Sequence, residues 1–370
     1  MVPVVWAVPV WLRLTLFVGA GVAGGLLAGK WIADSLPPPP STWFLLLFFP
    51  AAWLAVAAHE FGHSFGGYLE GFRFLIWVAG PIELRRKNQR LVLGWNRSLQ
   101  LIGGVASSVP VTFEHLPRRM FTLVAGGPVA SVLLAVIGSV GYLLADLLKA
   151  PTLAWIMIPI IACSMVIGLA TLVPVQSAGF ASDGARMLML ARGGPEAERW
   201  CAIAALAGAG AAGVRPREWD TTLVKVASGL SDASYDDVSG TLIAYYSSLD
   251  RGDLQSAGNL IERALDIRSV WPGSLQGVIW AEASWFTAYH RRNASEARRL
   301  FKQIATGAVL DRQTRSRALA AILLAEGKTD DAVEEANRGL KAVNSALSPG
   351  IATFERESLQ EIAGYRTGVA

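Results

Sequence analysis

Four strongly apolar stretches of this chain run for sixteen residues or more without a charged side chain: residues 14–29, 43–58, 120–145 and 150–182. A helix rises about 1.5 Å per residue and a bilayer's hydrocarbon layer is about 30 Å thick, so each run, with its flanks, is long enough to cross. Only 17% of the 370 residues are charged and 52% are hydrophobic, with a mean hydropathy of +0.39. Soluble domains carry about a quarter charged residues, so a wholly soluble protein is excluded, and so is a largely disordered one. The first half is therefore expected to be a polytopic α-helical membrane protein with four spans near residues 12–32, 43–66, 120–148 and 151–174. The first run is read as a retained span, not a signal peptide. Glycines 21, 24, 25 and 29 interrupt it, and no clear Ala-x-Ala site follows.

Lys and Arg in short loops set orientation. Residues 31–42 have neither, whereas residues 67–119 hold eight arginines and lysines. That basic loop is expected on the cytoplasmic side, which sends the remainder after the fourth span to the cytoplasm as well. The net charge is only +4 and the basic residues gather in this loop, so nucleic-acid binding is not expected. Within the loop, residues 72–78 and 90–95 are rich in aromatic and β-branched side chains and read as short strands, broken at Gly80-Pro81 and Lys87-Asn88. Residues 101–111 are apolar but too short to span. They are expected to dip into the membrane surface or pack on the bundle.

Beyond about residue 192 the charges return. Three stretches align, each between two amphipathic helical patterns: Arg251-Gly-Asp, Arg291-Arg-Asn and Glu326-Gly-Lys, spaced 40 and 35 residues apart and each followed by an alanine four positions on. This resembles tetratricopeptide-type helix pairs, although a generic array of α-hairpins fits nearly as well. The expected division is a membrane core at 1–192, a linker helix at 193–215 and an all-α, helical-repeat-like soluble domain at 216–370. Cys163 and Cys201 are too few for a disulfide framework.

The chemistry concentrates where the second run ends, in His59-Glu60-Phe61-Gly62-His63. Two histidines four positions apart project from one helix face and make a two-ligand metal clip. Glu60, one step round the helix, can reach a metal-bound water without being a ligand. Ionisable groups this close to a hydrophobic segment are costly without partners, which favours function over chance. A catalytic zinc site usually takes three protein ligands. Of the remaining histidines, His115 lies in a polar loop and His290 in the soluble part. Asp183 fits better, because it ends the longest uncharged run on the same side as His63, although by itself it would read as a helix N-cap.

These motifs, together with Ser182-Asp183-Gly184-Ala185-Arg186 and the intervening Ala125-Gly126-Gly127-Pro128-Val129-Ala130-Ser131, resemble the site-2 protease family of intramembrane zinc metalloproteases over about residues 10–200. The resemblance implies that His59, His63 and Asp183 bind zinc and that Glu60 is the catalytic base that activates water. Thr171 and Ser131 occupy places where the family commonly has Asn, and are possible substrate or transition-state contacts. The expected activity is hydrolysis of peptide bonds in transmembrane protein substrates at the cell (plasma or inner) membrane. Strand 72–78 or 90–95 would pair with the unwound substrate, and lipid and a cytoplasmic partner of the helical domain would be further partners. The alternative is a catalytically degenerate membrane scaffold that presents the helical domain. A metal transporter or sensor is disfavoured because it leaves Glu60 without work.

Overall fold

The computed structural model describes residues 41–87, 90–96, 103–177, 180–346 and 348–365. The expected first span, near residues 12–32, lies outside them. Three helices are each long and apolar enough to cross a membrane. A 3₁₀ turn, Thr42–Leu47, leads into helix α1, Phe48–Leu69. Helix α2 is Leu116–Leu147 and α3 is Pro151–Leu172. Their outward faces carry large exposed apolar residues, among them Phe49, Ile137, Leu143 and Val166. Such a surface suits lipid and not water.

Where the three helices meet, glycine sets the spacing. A Cβ on Gly62 of α1 would overlap the carbonyl oxygen of Gly126 on α2, and a Cβ on Gly126 would overlap that of Gly62. Gly66 repeats the pattern one turn later against Thr122. Helix backbones can approach this closely only through such small-residue stripes.

Between α1 and α2 lies an antiparallel sheet with strands β1 Arg73–Ala79, β2 Ile82–Lys87, β3 Arg90–Trp95 and β4 Val105–Val109, in the order β3-β2-β1-β4. Two of these match the expected strands. The segment between them, with three basic residues and one glutamate in six, was not expected to be a strand, yet it forms β2, and the anticipated break at Gly80-Pro81 is the turn that leads into it. Part of the 101–111 stretch forms β4 and packs on α1. Strand β1 is paired on both sides, with β2 and β4, so 72–78 is no free edge.

The sheet also returns alongside the helix it follows. The Trp53 indole Nε1 donates to the carbonyl of Ala79 at 3.0 Å, and Gly80 packs on the same ring. Trp53 lies sixteen residues before Leu69, about 24 Å back along α1. The basic loop therefore does not simply leave the bundle. Its polarity follows this placement: Arg85, Arg86 and Arg90 gather at the β2–β3 turn, while Trp77, Ile82, Leu93 and Trp95 lie toward the Trp53 end.

After α3 come a two-residue ladder of β5 Gln176–Ser177 with β6 Phe180–Ala181, then helices α4 Asp183–Arg192 and α5 Pro195–Ala211. Helix α5 is a wall shared by two cores. Ala197, Cys201 and Ala205 pack with Leu116, Met120 and Val124 of α2, whereas Ala202 and Leu206 join the core of the C-terminal helices. After α6, Thr221–Ser228, three hairpins follow: α7 Tyr235–Asp250 with α8 Leu254–Ile267, α9 Gly277–Tyr289 with α10 Ala294–Phe301, and α11 Arg312–Ala325 with α12 Thr329–Ala342. Helix α13, Pro349–Ala363, closes the array. The three aligned motifs are the hairpin turns, and the middle residue of each, Gly252, Arg292 and Gly327, takes the left-handed conformation. The alanines that follow, Ala257, Ala297 and Ala332, are fully buried where each second helix meets its first.

Replacing Gly126 by alanine forces α1 and α2 apart. The expected cost is about 1–3 kcal/mol, the range for overpacking a tight contact. Thermal unfolding of the detergent-solubilised protein checks this, and an unchanged midpoint would show that the crossing tolerates more space.

Candidate metal centre

His59 and His63 lie on one face of α1, about 40° apart around its axis, with ring centroids 4.8 Å apart and nearly perpendicular planes. Six residues separate His63 from Leu69, so the pair sits about 9–15 Å inside the helix end. Asp183 reaches them from the start of α4, 124 positions after His59. Its Oδ2 is 3.1 Å from His59 Nε2 and 3.6 Å from His63 Nε2, and the two Nε2 atoms are 3.2 Å apart. Donor atoms held about 2.0–2.1 Å from one tetrahedral ion stand roughly 3.3–3.4 Å from each other. The three separations bracket that value.

The second nitrogen of each ring fixes the tautomer. His63 Nδ1 lies 3.1 Å from the Leu123 carbonyl oxygen, which can only accept, so the proton is on Nδ1 and Nε2 is a bare lone pair. His59 Nδ1 is 2.9 Å from Ser131 Oγ, buried on α2. The hydroxyl can accept from that nitrogen or donate to it; where it accepts, His59 Nε2 is bare too. In that tautomer two lone pairs and a carboxylate oxygen face one another, an arrangement that a cation between them would stabilise. A ligand histidine whose other N–H is held by a carbonyl or hydroxyl is the usual outer support of a metal site.

Asp183 is free to join because Ser182 does the capping. Ser182 Oγ accepts from the Ala185 N–H at 3.2 Å and donates to the Val173 carbonyl at 2.6 Å, which leaves the Asp183 carboxylate uncommitted to the helix end. Burial pushes the Asp183 carboxyl up, but its contacts with His59 and His63 outweigh this and hold it well below the usual carboxylate range. Gly184 lets α4 begin directly under α3, since a side chain there would overlap the Leu172 carbonyl oxygen. Gly127 is the floor of the site. A Cβ on it would come within 2.8 Å of His59 Nε2 and closer still to His63 Nε2, the space where the donors converge.

His59, His63 and Asp183 form a group that could hold a metal ion. The residues suit a divalent ion such as zinc: two neutral imidazoles, one carboxylate, donor separations of tetrahedral size and a glycine keeping the centre clear. Glu60 is outside the ligand group but lines the same groove, an open cleft of about 660 Å³ shared with His63, Asp183, β4 and α5. Its side chain lies against Gly104, and the Ala106 N–H is directed at its carboxylate.

The other sequence candidates lie elsewhere. Ser131 sits behind the His59 ring, fully buried, on the side away from the groove residues named above. Thr171 Oγ1 donates to the Gly168 carbonyl of its own helix at 3.3 Å. His115 is exposed at the head of α2, and His290 stacks edge-on to Trp285 in the C-terminal helices. What sequence reasoning missed is the support: the Leu123 carbonyl, the Ser182 cap and the glycine floor. Only the floor left a trace, in Gly126-Gly127-Pro128. No protein-family model, no curated protein and no solved structure matches the chain.

Purified protein is expected to carry one divalent ion per chain by elemental analysis. Asp183→Asn and His59→Ala should each remove stoichiometric metal, and Ser131→Ala should weaken metal affinity about 10–100-fold, as loss of an outer support does. Full metal retention in His59→Ala would show that the ion, if present, is held elsewhere.

Proposed function

We propose that this chain is an intramembrane zinc metalloprotease of the site-2 protease type, hydrolysing a peptide bond in a membrane-protein substrate. The observation that carries this reading is the convergence of His59 Nε2, His63 Nε2 and Asp183 Oδ2 beside the carboxylate of Glu60, on a helix apolar enough to span a membrane. On this reading the protein is a multi-pass protein of the cell membrane with its C-terminal helices in the cytoplasm.

His59, His63 and Asp183 would hold the zinc, whose Lewis acidity would lower the pKa of a water and polarise a carbonyl. Glu60 then takes the proton of the attacking water and passes it to the leaving amine nitrogen. The Ala106 N–H steadies Glu60 for that exchange. Ser131 and the Leu123 carbonyl hold the two rings in the tautomer that points Nε2 inward.

A transmembrane helix hides its carbonyls in hydrogen bonds, so the cleaved segment must unwind. Strand addition to a sheet edge satisfies the freed backbone. The edge suited to this is β4, because among the described residues it is unpaired on the side away from β1, and its residues 105–108, with Gly104 before them, line the groove with Glu60. At the far end α5 closes it, where Gly208 presses on Val109. The other edge, β3, is separated from the groove by β2 and β1.

One observation favours the scaffold reading. Thr171 spends its hydroxyl on its own helix and so does not replace the Asn that the resemblance expects near the site. Glu60→Gln separates the two readings. The protease reading expects loss of cleavage at unchanged metal content, with a membrane-protein precursor accumulating in cells that carry the variant. Identical membrane proteomes in wild type and variant would favour the scaffold. Ser108→Pro is expected to lower cleavage at least tenfold while metal content holds. Unchanged cleavage would remove β4 from substrate binding.

A further inference from the structure

The C-terminal helices enclose a second cavity, of about 590 Å³, with Trp271, Tyr246, Val278 and Ile351 among its walls. Behind it lies a dry cluster of charge. Arg317 of α11 and Glu282 of α9 are both fully buried, and Arg317 Nη2 donates to the two Glu282 oxygens at 2.5 and 2.6 Å. The hydroxyls of Tyr245 and Tyr246 donate to the same carboxylate at 3.0 and 3.1 Å. Glu282 is thereby saturated.

Glu355 of α13 is not. Its side chain is 1% exposed, its nearest cationic atom is Arg317 Nη2 at 3.8 Å, and neither carboxylate oxygen has a hydrogen bond of full geometry, with the neutral side chains of Thr314 and Gln313 for polar company besides Arg317. Yet it lines the cavity. Arg317 is one positive charge set against two carboxylates, and among the described residues that line the cavity there is no Lys, Arg or His. A buried acceptor left unmatched is expensive, and a surplus of buried negative charge more so.

We propose that this cavity binds a primary alkylammonium group, the chemistry shared by a lysine side chain and a free aliphatic amine, with its cationic head at Glu355. An ammonium brings three donors and one positive charge, which match the two carboxylate oxygens and the neighbouring Thr314 and Gln313. A planar guanidinium would need its acceptors in one plane. Trp271 and Tyr246 bring aromatic rings to the wall, and Val278 and Ile351 suit a methylene stem. Trp271 is held in place for this, because its Nε1 donates to the Tyr235 carbonyl at 3.1 Å and its ring stacks on Tyr235. The site is independent of the metal centre and does not rest on the protease reading.

Binding should be pH-dependent. Burial, opposed by Arg317 and reinforced by Glu282, pushes the Glu355 carboxyl up to about 7. The groups that face it are Arg317, Gln313 and Thr314 of α11, Glu282 of α9, Tyr245 and Tyr246 of α7, and Asp311 before α11. An ammonium selects the ionised carboxylate, so affinity rises from pH 6 to pH 8, a range over which the amine, titrating near 10.4, stays charged.

The test is isothermal titration of the full-length, detergent-solubilised protein with n-butylammonium, with Nα-acetyl-lysine N-methylamide, and with its Nε-acetylated form. Saturable binding is expected for the two charged probes, at least tenfold weaker binding for the neutral one, and an affinity that climbs between pH 6 and pH 8. Glu355→Gln should cost both charged probes at least tenfold while helicity and metal content hold. Should that variant fail to fold, Trp271→Leu, expected to cost at least threefold, and the wild-type pH profile carry the test. A lysine amide at least tenfold tighter than butylammonium assigns the site to lysine within a polypeptide, whereas equal affinities assign it to a free amine. Absence of saturable binding by either charged probe, a flat pH profile, equal binding of the acetylated probe or undiminished affinity in Glu355→Gln would overturn the proposal.

Discussion

Everything at the metal centre depends on how closely α1 and α2 approach. Gly62 and Gly126 meet backbone to backbone, which brings the Leu123 carbonyl within reach of His63 and Ser131 within reach of His59. The same approach sets Gly127 against the ring nitrogens. A larger residue at the crossing would separate the helices and release both imidazoles from the bonds that aim them. In a lipid-facing bundle, where apolar burial provides little force between helices, such contact is the available means of holding polar groups in register. Asp183 then closes the site from α4, which is seated under α3 through Gly184.

The C-terminal helices are tied to this site through α5. One face of that helix belongs to the core that supports α2 and α4, the other to the core of the C-terminal hairpins, and its glycine at position 208 abuts the end of β4. Arg186, one turn after Asp183, lies over the Trp200 ring of α5 and pairs with Asp236 of α7 at 3.5 Å. A shift of the C-terminal helices would therefore be felt along α4, the helix that carries the third donor.

What could be read from the sequence divides by range. The histidine pair was legible because spacing of four is a local property of a helix, and the hairpin turns because each repeats a short pattern. Asp183 needed its distant partner to stand out from an ordinary cap, and the true cap proved to be Ser182, one residue earlier. Ser131 was noticed for the wrong face of the site, because nothing local tells that its hydroxyl lies behind His59. Strand β2 was hidden by its charges, which lie at the polar end of a sheet that runs back along α1. The same depth made 72–78 look like an edge when it is an interior strand. The buried Arg317–Glu282 pair, 35 residues apart, left no local sign at all.

The most direct test of the centre is X-ray absorption at the zinc edge on the purified protein. Two imidazole nitrogens and carboxylate oxygen at about 2.0–2.1 Å, with no sulfur, are the result expected if the proposed zinc binds there. A sulfur scatterer, a shell lacking imidazole, or protein that stays metal-free when zinc is supplied would contradict it.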